Sequence, residues 1–403
     1  MYSDRIKIEK TPDESLSSNQ VQPNDNLTVI LALKDRGLYT FRWMDYANSV
    51  HFPFKILIAD GGSDARVQEK LGKRENYPNI NYEYIQYPYD ETYKHFYIKL
   101  VDAISRVDTS YLVMADNDDF FLIEGLQKSV DFLQCHPDFS SCRGLIGGIR
   151  INSNVRYLEL SGVYGESKDI AFAKHRYLPG STLDDTAVKR VKNFFTTYRA
   201  NWYDVFRTEQ AMANYQSLLD ANINDLILAQ NIPMLLGHVA GKVHRGSFKY
   251  LFRQINVPGS SDAIETREKG DHFDRMLMKT WSDDFNNFVN TIANAIAQKD
   301  EISYEEAYKV VKKSYREFMV PYIVSCLMPQ KSRSSTVETI RWIYHRMGPG
   351  AIFFHRQYKA IRSKLKSQPQ LLKFISGSRL ANSDRDIKML LEFLSNPPKS
   401  LHG

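Results

Sequence analysis

Cysteine is scarce in this chain, with three in 403 residues at Cys135, Cys142 and Cys326. They are too few and too scattered for a disulfide framework or a zinc site. Long apolar runs are missing as well. No window approaches the roughly 18 uncharged apolar residues of a membrane-spanning helix, which excludes an integral membrane protein. The N-terminus, Met1-Tyr-Ser-Asp-Arg-Ile-Lys-Ile-Glu-Lys10, has no apolar stretch behind its charges and does not read as a secretory signal. A reducing cytoplasm is the expected compartment. What the chain does have is ordinary globular material, 43% hydrophobic and 25% charged. That suffices for two or three domains, or one large domain with an appendage, at roughly 100–200 residues per domain.

Acidic residues are nearly absent from one stretch. Between 331 and 380, eleven Lys and Arg face a single Glu338, in a chain whose net charge is only +6. A basic block of this kind either meets an anionic partner (a membrane surface, nucleic acid or a phosphorylated substrate) or is a solvated helical face.

Residues 1–25 are polar and aperiodic and read as a flexible N-terminal arm. From Leu27 the pattern changes. Leu27–Leu33, Phe54–Ala59, Ile80–Gln86 and Ser110–Ala115 read as strands, the first two and the last apolar enough to be buried on both faces. Helical patterns separate them, near 38–47, 64–73 and 92–106, and a further one follows at 120–136. Strand–helix alternation implies βαβ units and a mostly parallel sheet. Beyond that, Gly144–Ile151 and Arg156–Leu160 are candidate strands, and 161–198 reads as a long excursion. Trp202–Phe206 reads as a strand, 208–219 as a helix, 225–230 as a short helix, Met234–Val239 as a strand and Gly241–Gly246 as a loop. From about 270 the signal is helical, ending in one helix at 385–395.

The strongest chemical signal is the Asp116-Asn-Asp-Asp119 run at the end of an apolar strand. Ligands of parallel α/β sheets lie outside the carboxyl ends of the strands. Clustered carboxylates there repel one another unless a hard cation joins them, and Mg²⁺ takes one or two carboxylates plus substrate phosphates. A solvated acidic turn or helix cap gives the same sequence. The second signal is Asp60-Gly-Gly-Ser-Asp64, also at a strand end. Its acid can accept from a base or ribose, and its glycines admit a ligand to the backbone. Lys34-Asp35-Arg36 closes the first strand at the same edge.

These three strand ends, in this order, are similar to the nucleotide-binding half of family-two, GT-A-fold glycosyltransferases. The first strand, Val29-Ile-Leu-Ala-Leu-Lys-Asp35-Arg36, lacks the family's Pro and carries Asp for its Asn, so the resemblance is to a divergent member. It covers about 27–245. The resemblance implies an α/β GT-A domain (Rossmann-like, a mostly parallel sheet with flanking helices) over 26–265 and a helical C-terminal region over 266–403, basic at 331–380. It implies a nucleotide-sugar donor, a UDP-sugar, and a divalent cation, Mn²⁺ or Mg²⁺. Asp60 would meet the base, Asp116 the ribose or sugar, and Asp118 the metal with Asp119 nearby; Asp35, Arg36 and Lys242 complete the donor set. His244 is the late metal ligand it implies, with His238 behind it, and Arg245 and Lys249 are further contacts to the diphosphate. Asp225, in Asn224-Asp225-Leu-Ile-Leu-Ala, takes the place of the base in an inverting reaction, with Asp220 in reserve. Helix capping is the other reading of Asp225. The aromatics of Tyr87-Pro-Tyr89 and Tyr93–Tyr97 either stack on the ligand or pack a rim.

The implied acceptor is a bacterial-type surface glycan or glycolipid, made by polysaccharide biosynthesis enzymes at the inner face of a membrane. The basic block would then dock on anionic lipid, or else its apolar residues pack on the preceding domain or form a homodimer interface with the charges outward; no nucleic-acid partner is expected. A sugar-phosphate nucleotidyltransferase and a non-catalytic anionic-surface binding protein are the alternatives. A phosphatase with an Asp-x-Asp strand end is disfavoured because here three strands precede that motif.

Overall fold

The computed structural model describes residues 24–152, 162–177, 180–198, 200–257, 267, 270–327, 374–382 and 384–396. The first half alternates strand and helix: β1 (Asn24–Leu33), α1 (Gly37–Ser49), β2 (Phe54–Asp60), α2 (Ala65–Leu71), β3 (Tyr82–Gln86), α3 (Tyr93–Ser105), β4 (Tyr111–Ala115), β5 (Asp119–Phe121) and α4 (Ile123–Cys135). Then come β6 (Phe139–Ile151), β7 (Ile170–Tyr177), α5 (Ala187–Thr197), β8 (Val205–Arg207), α6 (Thr208–Ala221), α7 (Leu226–Ala240) and β9 (Lys242–Gln254). The C-terminal part adds α8 (His272–Met276), α9 (Trp281–Asp300), α10 (Tyr304–Leu327), β10 (Phe374–Ser376), α11 (Gly377–Ala381) and α12 (Arg385–Ser395).

Among the described residues one ten-stranded sheet runs β10-β7-β6-β8-β4-β1-β2-β3, with β9 beside β6 and β5 beside β9. Strands β3, β2, β1 and β4 are mutually parallel, β8 enters antiparallel to both β4 and β6, and β6 and β9 are parallel. This is the α/β class that the resemblance implies, with flanking helices and C-terminal helices.

The two-residue period of a strand sorts the apolar runs into two cores. Ile30, Leu57, Leu112 and Met114 pack with residues of α3, α5, α6, α7, α9 and α10 on one face. Val29, Leu31, Ile56, Ile58 and Val113 pack with α1, α2 and α4 on the other. A sheet covered on both faces needs no polar alternation. A third cluster joins Phe120, Phe172 and Phe252 of the sheet to Leu390, Leu391 and Leu394 of α12, so the last described helix docks on the sheet.

The reading of 120–136 as helix gives its start to β5, and of the strand read at Trp202–Phe206 only the end is β8; three further segments differ more. Met234–Val239 is the second half of helix α7, which runs through Pro233. Twelve of its fifteen residues are buried, and a helix apolar on every side has no period to separate it from a buried strand. The Gly241–Gly246 loop is the start of β9; its Arg245 looks like surface but is 7% exposed and bonds the buried Asp204 at 2.7 Å. The excursion 161–198 contains β7 and α5. Candidate strand Arg156–Leu160, the N-terminal arm and the basic residues Lys331 to Lys373 lie outside the described residues. No helix among the described residues is long and apolar enough to cross a membrane.

Candidate functional site

The site is assembled where β1, β2 and β4 end. After β1, Asp35 and Arg36 take left-handed backbone angles in succession, φ 56° and 59°. Each such residue costs on the order of 1–3 kcal/mol and persists only where its surroundings hold it. Here they do. The Asp35 carboxylate accepts from Ser63 N at 2.9 Å and Ser63 Oγ at 3.0 Å, while the Arg36 carbonyl accepts from Tyr39 N at 3.0 Å and Thr40 N at 3.3 Å to open α1.

At the end of β2, Asp60 is 4% exposed. Its Oδ1 accepts from Gly62 N at 2.8 Å and its Oδ2 from the Tyr84 hydroxyl at 2.8 Å. The two glycines that follow are required by space. A Cβ on Gly61 would stand 2.5 Å from the Asp90 carboxylate, and one on Gly62 2.6 Å from Asp35 N. Beneath them Asp90 and Lys99, each 2% exposed at the side chain, form an ion pair. Lys99 Nζ also donates to the Leu33 carbonyl at 2.7 Å, and Asp90 N to the Gly61 carbonyl at 2.9 Å. The buried pair therefore staples the ends of β1 and β2 to the segment entering α3. Burial lowers the Lys99 pKa and raises that of Asp90, each shift being opposed by the other's charge.

At the end of β4, Asp116, Asp118 and Asp119 offer carboxylate oxygens within 4.8 Å of one another. Each has a protein donor. Tyr203 OH donates to Asp116 Oδ2, Arg36 Nη2 to Asp118 Oδ2 at 3.0 Å, and Gln254 N and Arg253 Nε to Asp119 at 3.0 and 3.1 Å. Arg42, fully buried, donates to the Asp118 carbonyl at 3.4 Å, the Val163 carbonyl at 2.6 Å and Gln254 Oε1 at 2.8 Å. Burial pushes the Asp116 carboxyl above the usual range; Asp118 adds to this and the Tyr203 hydrogen bond opposes it. Asp119 is pushed up to about 7 by burial first, with Arg253 pulling it down and Asp118 and Asp116 raising it. An all-oxygen donor set with excess negative charge fits a hard divalent cation. A carboxylate that accepts one hydrogen bond keeps lone pairs for a metal. Asp119, held through both oxygens by β9, is the most committed of the three.

The structure thus brings Asp35, Arg36, Asp60, Asp116 and Asp118 to one edge. It does not bring Lys242 and His244 there. Strand register sets Lys242 opposite Phe139 and His244 opposite Cys142; Cys142 pairs with Val205, and Val205 with Val113. Lys242 therefore lies toward the start of β4, the edge away from Asp116, and bonds Asp138 at 3.1 Å and Asp185 at 3.4 Å. The His244 ring stacks on Phe132, late in α4, at 3.9 Å between centroids. His238 is buried inside α7, Arg245 pairs with Asp204, and Lys249 pairs with Asp384 and Asp386 before and within α12.

Near Asp225, Asn222 at the end of α6 accepts from Lys94 Nζ near the start of α3 at 3.0 Å. The Asp225 carboxylate is engaged. Oδ1 accepts from Leu228 N at 2.9 Å as the cap of α7, and Oδ2 accepts from Arg275 at 2.9 Å (Nε) and 2.8 Å (Nη2). Asp284 of α9 accepts the Asn224 and Asp225 amides. Asp220 accepts from Gln216 on its own helix at 2.9 Å. Of the aromatics, Tyr89 is exposed beside Lys34, whose Nζ lies 4.9 Å from its ring. Tyr87 OH donates to Asp102, and Phe96 stacks on Trp202.

Sequence reasoning missed Tyr84, Asp90, Lys99, Tyr203, Arg42 and Arg253. Two had a signal. Arg42 stands in Phe41-Arg-Trp-Met44 and Lys99 in Ile98-Lys-Leu-Val101, single charges inside apolar runs, and a buried cation needs a partner.

No protein-family model matches the chain, and no curated protein matches it in sequence. Among solved structures it aligns with S. aureus TarS 1–349 at 14% identity and a TM-score of 0.40, over 74% of this chain and 92% of that one. The same fragment in complex with UDP-GlcNAc aligns at 14% identity over the same shares, with a TM-score of 0.39. For the longer S. aureus TarS structure the values are 14% and 0.38, covering 74% of this chain and 55% of that one.

Proposed function

We propose that this chain is a GT-A-type glycosyltransferase that moves a sugar from a uridine-diphosphate-sugar donor to an acceptor hydroxyl. The observation that carries the reading is the meeting, at one carboxyl edge, of a buried Asp60 aimed by Tyr84 and Gly62 with the Asp116/Asp118/Asp119 cluster. Asp60 is an anchored acceptor suited to a uracil imide N–H. The glycine pair after it lets the chain close tightly on Asp90 and Asp35, which fixes the Asp60 loop. Asp116, oriented by Tyr203, faces the ribose or sugar.

Asp118, with Asp116, would hold Mn²⁺ or Mg²⁺ at the diphosphate; the cation, when bound, offsets charge on the departing nucleotide diphosphate. Asp119 ties the cluster to β9 through Gln254 and Arg253. Asp225 is the carboxylate proposed to take the acceptor proton in an inverting transfer. That role asks it to exchange Arg275 for the acceptor hydroxyl, because a base must reach the proton it removes. The acceptor class is a surface glycan or glycolipid, with the 331–380 block meeting anionic lipid.

The test is sugar transfer and donor hydrolysis across a panel of UDP-sugars, with Mn²⁺ or with EDTA, on the wild type and Asp118→Asn. Metal-dependent UDP release lost in the variant supports the reading. Inorganic diphosphate release from UTP and a sugar phosphate would instead make it a nucleotidyltransferase.

A further inference from the structure

The Arg36 guanidinium is poorly used for a group held so firmly. It makes one 3.0 Å bond to Asp118 Oδ2 and lies 4.6 Å over the Tyr39 ring, yet its buried Nε has no hydrogen-bond partner among the described residues. Guanidinium offers five donors in a fork that fits phosphate oxygens. The backbone beneath it is strained at two consecutive residues, so its position is imposed. Its one carboxylate partner belongs to the acidic cluster suited to a divalent cation.

On this basis, and resting on the donor reading above, we propose that Arg36 is a resident counter-ion that a divalent cation displaces from Asp118 and that then pairs with the donor diphosphate. Two consequences follow from the charges. Before donor arrives, Arg36 and the metal compete for Asp118 Oδ2 and repel one another, so Arg36 weakens metal binding. Once a diphosphate is present, the displaced guanidinium gains a partner of opposite charge. Metal and nucleotide therefore bind with positive coupling, and the coupling is reciprocal.

The experiment is Mn²⁺ titration, read by loss of the free-ion EPR signal, with and without UDP, on the wild type, Arg36→Met and Arg36→Lys. Methionine keeps an unbranched stem over Tyr39 without the charge. Removing a unit charge this close to the cation should tighten Mn²⁺ binding in the absence of UDP by about tenfold or more. In the same variant UDP should tighten Mn²⁺ binding less than it does in the wild type, and Arg36→Lys should stay near the wild type. Melting curves establish that each variant is folded. Equal or weaker Mn²⁺ binding by folded Arg36→Met overturns the proposal, as does the absence of Mn²⁺ binding by every form. A wild type that binds Mn²⁺ but not UDP overturns the donor reading instead, and the metal-only comparison still judges the competition between Arg36 and the cation.

Discussion

Asp118 and Asp119 differ in what already holds them, and so should their variants. Among the described residues Asp118 is bonded through its side chain to Arg36 alone, and Asp118→Asn should abolish metal-dependent UDP release with the melting temperature little changed. Asp119 is 1% exposed and bonded by Gln254 and Arg253. Asp119→Asn should therefore cost stability, about 1–3 kcal/mol for a buried partner left unsatisfied, measurable by urea unfolding. Tyr84→Phe removes the hydroxyl that aims Asp60 and should weaken UDP binding about three- to tenfold, the worth of one hydrogen bond. At the far edge, His244 answers a different question. Burial first, then the charges of Arg245 and His136, lowers its pKa from 6.5. A base with a depressed folded pKa binds fewer protons than the unfolded chain, so stability is lost as pH falls below about 6.5. His244→Gln should flatten part of that loss in a melting-temperature profile, leaving the part due to His272, which burial also pushes down.

At the scale of elements, what the sequence made legible was what neighbouring residues decide. β1, β2 and β4 are short apolar runs bounded by turn residues, and Asp35, Asp60 and Asp116 stand at their ends, as the strand pattern placed them. What stayed hidden depends on partners far along the chain. β9 reads as a charged loop until Arg245 meets Asp204, and the bond from Lys99 to the Leu33 carbonyl crosses from α3 to β1. The end of the chain is the clearest case. Residues 385–395 read as a helix, but nothing in them told that Phe393 would meet Tyr46 and Phe120, with ring centroids 5.4 and 6.4 Å away. Phe120 directly follows Asp119, so α12 buttresses the acidic run from behind. Leu394→Ala, at a fully buried site, should cost about 2–5 kcal/mol in urea unfolding and weaken Mn²⁺ binding. A loss of stability with Mn²⁺ affinity unchanged would show that the helix supports the fold and not the site.

On the scale of the whole molecule, the division at 266 separates parts that share a core. Phe288, Val289 and Ile292 of α9 and Val311 of α10 lie in one buried cluster with Ile30, Leu57 and Leu112 of the sheet. The polypeptide then leaves α10 at Leu327 and returns at Phe374, where β10 pairs with β7. Both flanks of the basic stretch are thus anchored on the sheet and its packed helices, and this decides how its proposed docking on anionic lipid must be tested. Truncation near 330 would also delete β10 and α12 and expose the cluster that Leu390, Leu391 and Leu394 bury, so lost binding would report unfolding. Charge removal within the stretch avoids this. Near an anionic bilayer each Lys or Arg contributes on the order of 1 kcal/mol, and Lys359, Arg362, Lys364 and Lys366 fall within eight residues. Changing all four to Gln should lower co-sedimentation with phosphatidylserine vesicles at low salt by about a hundredfold or more in affinity, with the melting temperature and UDP binding unaltered. Wild-type binding should fade as salt rises, because these charges are screened over about a Debye length. Wild-type binding that ignores salt, or a quadruple variant that binds as well as the wild type, would assign the charges to a solvated face.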